Sequence, residues 1–259
     1  MTDQAEQGGR EASRQVPAAE VPQSAGSARG TANLNEFLVR FADAAGRLTD
    51  PEAVANTACQ MIHAQLGVER AYWAEVDSTT REYVIMGGAH SPGVPTVEGR
   101  FPMDDWEPFT SAHRERRSHV VEDTQTDPRI SASMKAGYAH LGVGADLASP
   151  AVVNGELRSV LAVNQRAARH WTDEDVALVE AAANRCWAEV ERAKAEAALR
   201  KSEEKYRSLF ERMDEGFALC ELVRGASGRG IDYRYVELNF ALVRHGNISP
   251  DALVGRRAS

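Results

Sequence analysis

Apolar residues recur at helical spacing over two stretches in the first quarter of the chain. Between Asn33 and Leu48 they are Leu34, Phe37, Leu38, Phe41, Ala44 and Leu48, which predicts an amphipathic helix. Asp50-Pro51 opens a second helix. Asp50 is a capping residue, Pro51 suits the first helical position, and Val54, Cys59, Ile62 and Leu66 share one face up to Gly67. The period then shortens to two: Ala71 to Val76 and Tyr83 to Met86 read as strands around a polar turn at Asp77 to Arg81. Asp104 to Arg117 reads as helical through Trp106, Phe109 and Ala112. Val120-Val121 reads as a short strand, and Ile130 to Leu141 as a helix or helical loop entered after Asp127-Pro128. Asn154-Gly155 lies between two β-prone runs and predicts a two-residue hairpin. Pro150, in the first run, calls for a free backbone position at an edge or a bulge.

The longest pattern starts at Thr172. Thr172 and Asp175 form a capping box, and Asp173 and Glu174 suit the positive end of the helix dipole. No Pro or Gly occurs between Thr172 and Asp214, and Gly216 ends the run. Some forty residues of helix span about 60 Å. Val176, Val179, Ala183, Cys186 and Val190 form one apolar series. Ala195, Leu199, Ser202, Tyr206, Leu209 and Met213 form another, and the two slip out of phase between Val190 and Ala195. Such a helix either closes a domain and continues as a solvated linker, or pairs in a parallel two-stranded coiled coil broken at the slip.

A chain of 259 residues with 43% hydrophobic and 26% charged residues has room for one or two ordinary domains. The net charge of −8 argues against non-specific binding to nucleic acid. No apolar run reaches the ~20 residues of a membrane span, and the N-terminus lacks a signal-peptide pattern, so a cytoplasmic location without membrane attachment is expected. Residues 1–32 are too polar to bury a core and read as a disordered tail. Cys59, Cys186 and Cys220 are too far apart for a metal motif or a disulfide framework. No nucleophile motif, phosphate-binding glycine loop or histidine pair at metal spacing is present, so no catalytic or metal-binding residue is expected. His113 and His119 flank Arg114-Glu115-Arg116-Arg117 and read as a solvated helix end.

From about Asn33 to Glu191 the chain resembles a GAF domain. The resemblance rests on the entry helix pair, on "ERAYWAEV", on "HVVEDTQTDPRI" and above all on "LASPAVVNGELRSVLAVNQRAARHWTDEDVALVEAAANR". Further on, "SEEKYRSLFERMDEGFALCELV" and "IDYRYVELNFALVRHGNISPDALVGRR" resemble the opening of a PAS domain, with Asn239 where PAS domains often place an Asn that opens a helix. The strands that would complete a PAS sheet do not follow, so this part reads as truncated. The resemblance implies an α+β organisation: a tail over 1–32, a GAF domain over 33–191 with an antiparallel sheet and helices on one face, a helical linker or coiled coil over 192–205, and a partial PAS-like α/β segment over 206–259.

GAF domains that bind small molecules hold them between the sheet and the middle of the domain. That places candidate pocket residues at Trp73, Tyr83, Met86, Trp106, Phe109, Met134, Tyr138 and His140; the bland alternative is that they form the core. The cofactor is left unknown. Bilin-binding relatives attach the chromophore through a cysteine before the hairpin, and none lies between Cys59 and Cys186, so no covalent bilin is expected. The same gap argues against a GAF enzyme such as a methionine sulfoxide reductase. Gln165 follows Asn164 where cyclic-nucleotide binders often carry Lys, which argues against that ligand. The implied function is the sensory input module of a bacterial sensor histidine kinase, homodimeric through the long helix and followed by a kinase or other output domain. The alternatives are the input module of a cyclic-dinucleotide enzyme and a ligand-free dimerisation adaptor.

Overall fold

A computed structural model describes residues 24–226, 228–246 and 253–258. Helix α1 (Ser24–Ala45) begins ahead of the expected start at Asn33, so residues 24–32, read as part of the tail, are helical. The remainder of that tail lies outside the described residues. Helix α2 (Pro51–Leu66) is capped as expected: the Asp50 carboxylate accepts from the Glu52 N–H at 3.2 Å, and Gly67 ends it in the left-handed region.

Six strands follow: β1 (Arg70–Asp77), β2 (Glu82–His90), β3 (Gly99–Pro102), β4 (His119–Val121), β5 (Ala145–Val153) and β6 (Glu156–Gln165). They form one antiparallel sheet in the order β3-β2-β1-β6-β5-β4. Between β3 and β4 lie a 3₁₀ turn (Met103–Trp106) and α3 (Phe109–Arg114). The single helix expected over Asp104 to Arg117 is split because Pro108 disfavours helical backbone at Glu107. Helix α4 (Ala132–Leu141) precedes β5, capped by Ser131, whose hydroxyl accepts from the Met134 N–H at 3.2 Å. At the β5–β6 hairpin Asn154 and Gly155 take φ of 53° and 81°, both positive as a type I′ turn requires. Pro150 lies beyond the end of β4, whose pairing with β5 stops at His119↔Ala148, and beside an irregularity at Ala151/Val152.

Helix α5 (Asp173–Arg212) is continuous over 40 residues, and both halves of its capping box form: the Asp175 N–H donates to Thr172 Oγ1 at 3.1 Å, and the Thr172 N–H donates to Asp175 Oδ2 at 3.2 Å. Helices α1, α2 and α5 cover one face of the sheet. Ala71 and Trp73 of β1, Leu147 of β5 and Leu161 and Val163 of β6 meet Ile62 of α2 and Val179, Ala183, Cys186 and Val190 of α5 there. The first apolar series of α5 is therefore core of this domain, with Val176 partly buried at its edge. The second series, Ala195 to Met213, is exposed. The phase slip marks the point where α5 leaves the domain. There Arg192 donates to the carbonyls of Ala45 at 2.9 Å and Leu48 at 3.1 Å, and to Glu189 at 2.9 Å.

Beyond α5, β7 (Ala218–Arg224) and β8 (Gly230–Leu238) form a separate two-stranded sheet followed by α6 (Phe240–Gly246). Asn239 is buried and opens α6. Its Oδ1 accepts from the Phe217 N–H at 2.7 Å and the Leu242 N–H at 3.0 Å, and its Nδ2 donates to the Glu215 carbonyl at 2.8 Å. Leu219, Leu222, Ile231 and Val236 of this sheet are exposed. Among the described residues no helix is long and apolar enough to cross a membrane.

Candidate functional site

The face of the large sheet opposite α2 and α5 carries the site. Strand side chains alternate between faces, and cross-strand partners share one. Register places Arg70, Asn164 and Asp146 in one row across β1, β6 and β5. The next row along is Tyr72, Ala162, Ala148 and His119. Ala74 and Val160 pair in the row after that. Three alanines therefore floor a hollow that larger side chains would fill. Over it close Ile85, Val97, Phe101, Trp106, Phe109 and Leu141, leaving about 540 Å³ of empty space that is partly open to solvent.

Polar groups at one end of the hollow form a continuous chain. Asp146 Oδ2 accepts from the Tyr138 hydroxyl at 2.8 Å and meets His119 Nε2 at 2.8 Å, and Asp146 Oδ1 accepts from Asn164 Nδ2. His119 Nδ1 lies 3.0 Å from His113 Nε2. His113 Nδ1 lies 3.4 Å from the Tyr83 hydroxyl, which also lies 3.1 Å from Thr110 Oγ1. His113, His119 and Asp146 are 3%, 6% and 3% exposed, so the chain runs inside the protein. Burial, with the neighbouring His119, pushes the His113 imidazole down to about 2, so it is neutral at neutral pH. A neutral His113 with its proton on Nε2 donates to His119 Nδ1, and His119 donates through Nε2 to Asp146; Thr110 donates to the Met103 carbonyl at 2.8 Å, so the single Tyr83 proton serves Thr110 Oγ1 and His113 Nδ1 between them. In this arrangement three of the four imidazole nitrogens are paired, and His113 Nδ1 shares the Tyr83 proton with Thr110. Burial also raises the Tyr83 hydroxyl to about 12 and raises Tyr72 and Tyr138. Arg70 is buried on the same sheet face, beside Asn164 and Asp146. Its Nη2 donates to the Leu141 carbonyl at 3.1 Å, while Nε and Nη1 have no partner.

The expected pocket residues divide. Tyr83, Trp106 and Phe109 line the hollow. Tyr138 stands behind it, bonded to Asp146 and edge-on to Trp106 with ring centroids 5.3 Å apart. Trp73 does not line it: one residue from Tyr72, it points to the opposite face and borders a separate cleft under α2, beside the Lys194–Glu75 ion pair. Met134 packs in a core with Phe109 and Val121. His140 is exposed near the end of α4. Met86 belongs to β2, and its side chain lies outside the described residues. His113 and His119, read as solvated, are instead central to the site. The signal that could have found the cluster is Asp146 at the head of an otherwise apolar strand, because a buried carboxylate demands partners. Cys59 and Cys186 are buried on the helix face of the sheet, where desolvation pushes Cys59 up to about 12 and raises Cys186, and Cys220 is exposed on β7. Among the described residues no group of His, Cys, Asp and Glu is arranged to hold a metal.

Comparison with solved structures finds the same fold over this region. The chain is similar to the phycoerythrobilin-bound GAF domain of a cyanobacterial phytochrome, at 14% identity and TM-score 0.56 over 63% of this chain and 97% of that one. It is similar to the GAF domain of a phosphoenolpyruvate-protein phosphotransferase from Coxiella burnetii, at 18% identity and TM-score 0.54 over 64% of this chain and 98% of that one. A methyl-accepting chemotaxis protein, residues 122 to 287, is similar at 21% identity and TM-score 0.51 over 60% and 97%. Identities this low show the fold alone. Comparison with curated proteins finds no match. The family model for the GAF domain matches residues 50–190, more than half of the chain. The chain belongs to the GAF domain family.

Proposed function

We propose that this chain is the sensory input segment of a bacterial signal-transduction protein, in which a small molecule bound over Ala74, Ala148 and Ala162 alters the setting of α5. The observation that carries the reading is the position of β4, which touches both. His119 of β4 faces the hollow. From the same short strand the Val121 carbonyl accepts from Trp171 Nε1 at 3.1 Å, and the neighbouring Ser118 hydroxyl donates to Glu180 of α5 at 2.7 Å. A ligand that shifts His119 therefore moves the strand on which the start of α5 rests, and a rigid 40-residue helix carries that shift out of the domain.

The output favoured is a histidine kinase, in the cytoplasm, with β7, β8 and α6 as the opening of a PAS domain. The buried Asn239 at the start of α6 supports that assignment. A homodimer would pair through Leu199, Tyr206, Leu209 and Met213, the exposed series on α5. Leu199→Glu with Leu209→Glu should give a monomer by analytical ultracentrifugation without unfolding the domain, because both side chains are exposed, at 61% and 60%. A wild-type chain already monomeric at tens of micromolar contradicts the dimer.

No thiol lines the hollow among the described residues, so a bilin or other ligand would be held without a thioether, and a thiol-based enzyme is the weaker reading. Native mass spectrometry on the chain purified from its source tests the proposal. It should show a small molecule that is released on denaturation. A bare polypeptide mass, with no molecule from a source extract restoring an adduct, contradicts it.

A further inference from the structure

We infer that the hollow selects an uncharged, planar aromatic ligand. The inference rests on the ligand-binding reading above and names the chemistry of that site. It follows from what the polar wall has left to offer. His113 and His119 commit three of their four ring nitrogens to each other and to Asp146, and the fourth, His113 Nδ1, lies 3.4 Å from the Tyr83 hydroxyl. Asp146 already accepts from Asn164 and Tyr138 besides His119. The Tyr72 hydroxyl lies against Asn164. The wall is thus polar in composition with most of its hydrogen bonding filled, and Asn164 Oδ1, which has no partner, is buried away from the cavity surface. It turns ring faces and edges toward a ligand, with His119 stacked on Phe109 at 4.2 Å and on His113 at 5.0 Å.

A ligand charge finds no partner there. Arg70 is the nearest cation, on the same sheet face beside Asn164 and Asp146, but its one bonded nitrogen serves Leu141 and the other two are sealed from the cavity surface. Arg129 sits over the Phe109 ring, 5.4 Å from its centroid, and is held by Asp127. An anion would therefore be buried beside the Asp146 carboxylate with the free nitrogens of Arg70 out of reach, which is costly. An ammonium group meets a carboxylate whose acceptor positions are largely filled, and entering would mean displacing Tyr138, Asn164 or His119. A flat apolar ring system avoids both costs. The alanine floor of Ala74, Ala148 and Ala162 accepts a plane lying along the strands, while Trp106 and Phe101 supply aromatic contact above it.

Three probes of one shape test this: naphthalen-2-ylmethanol, 2-naphthoate and naphthalen-2-ylmethylammonium, each titrated into the full chain by isothermal calorimetry at pH 7.5, with cyclic GMP as a fourth. The alcohol should bind at least ~tenfold more tightly than either charged probe, and cyclic GMP should not bind at comparable concentration. Ala162→Phe, which fills the floor, should lose the alcohol by at least ~tenfold while its far-UV circular dichroism stays unchanged. Should that variant fail to fold, Ala148→Val narrows the same floor and must also weaken the alcohol. Equal or tighter binding of a charged probe or of cyclic GMP overturns the inference and leaves the ligand-binding reading standing. Binding of the alcohol that neither floor variant weakens places it elsewhere and also overturns the inference. If none of the four binds and no molecule accompanies the protein from its source, the ligand-binding reading fails, and the inference with it.

Discussion

Replacing Asp146 with alanine should destabilise the GAF domain severely, for a reason specific to this site. The Asp146 carboxylate is the shared acceptor for the His119 ring, the Tyr138 hydroxyl and the Asn164 amide. Removing it strands three donors, and a buried unsatisfied donor costs about 1–3 kcal/mol. Two effects reduce the sum: the adjacent hollow can admit water to some of them, and the variant no longer buries a charge. The expected net loss is about 3 kcal/mol, a large part of the roughly 5–15 kcal/mol that holds a domain together. The assay is urea unfolding followed by tryptophan fluorescence. Trp73, Trp106, Trp171 and Trp187 all lie between β1 and the first half of α5, so the signal reports this domain and not the β7–β8 sheet. A double-mutant cycle sharpens the test. Tyr138→Phe should cost about 1 kcal/mol or more in the wild-type chain but close to nothing once Asp146 has been replaced, because its acceptor is already gone. A loss below about 1 kcal/mol for Asp146→Ala, or additive effects in the cycle, would refute the shared-acceptor account.

The buried His113 predicts acid sensitivity. Its folded value is about 2, against about 6.5 unfolded, so below pH 6.5 the unfolded chain takes up a proton that the folded chain refuses; stability is full above about pH 6.5 and falls by about 1.4 kcal/mol per pH unit below it from this group alone. His113→Gln should flatten the dependence of urea-midpoint stability on pH between 6.5 and 4 by about one proton, and an unchanged slope would contradict the assignment. Arg192→Ala should lower the urea midpoint, since Arg192 serves the Ala45 and Leu48 carbonyls and the buried Glu189 where α5 leaves the domain, whereas Arg200→Ala on the exposed stretch should leave the midpoint at the wild-type value in the same assay. Amides of β7 and β8 should exchange with solvent faster than those of β5 and β6, because most residues of the smaller sheet are exposed; mass-spectrometric exchange that finds the two equally protected contradicts the description of that sheet.

Helices α2 and α5 and the β5–β6 hairpin were legible because each has a local cause. Asp50 and Thr172 supply caps, Asn154-Gly155 supplies two positive φ angles, and no Pro or Gly interrupts α5. Strand β3 was not legible: Gly-Arg-Phe-Pro has no alternation, and its pairing with β2 supplies the strand character. The site was legible only in part. Alternation makes either Tyr72 or Trp73 a wall of the hollow, and nothing local says which face the helices cover. That choice follows from α2 and α5 packing over Ala71 and Trp73, which leaves Tyr72 for the cavity. The two histidines were hidden by their neighbours. Helix α3 ends at Arg114, and Arg116 turns the chain with φ of 62°, leaving Arg114, Arg116 and Arg117 outside while His113 and His119 face each other inside. Their pairing is a product of that reversal, which a basic run does not advertise.

The central claim is that the state of the hollow reaches α5 through β4. Hydrogen exchange on the full chain, with and without saturating naphthalen-2-ylmethanol, tests it most directly. The account predicts slower exchange in β4, β5 and β6, together with a change in α5 that continues past Ala193, where the helix leaves the domain. Protection confined to the residues around the hollow, with α5 the same in both samples, would contradict it.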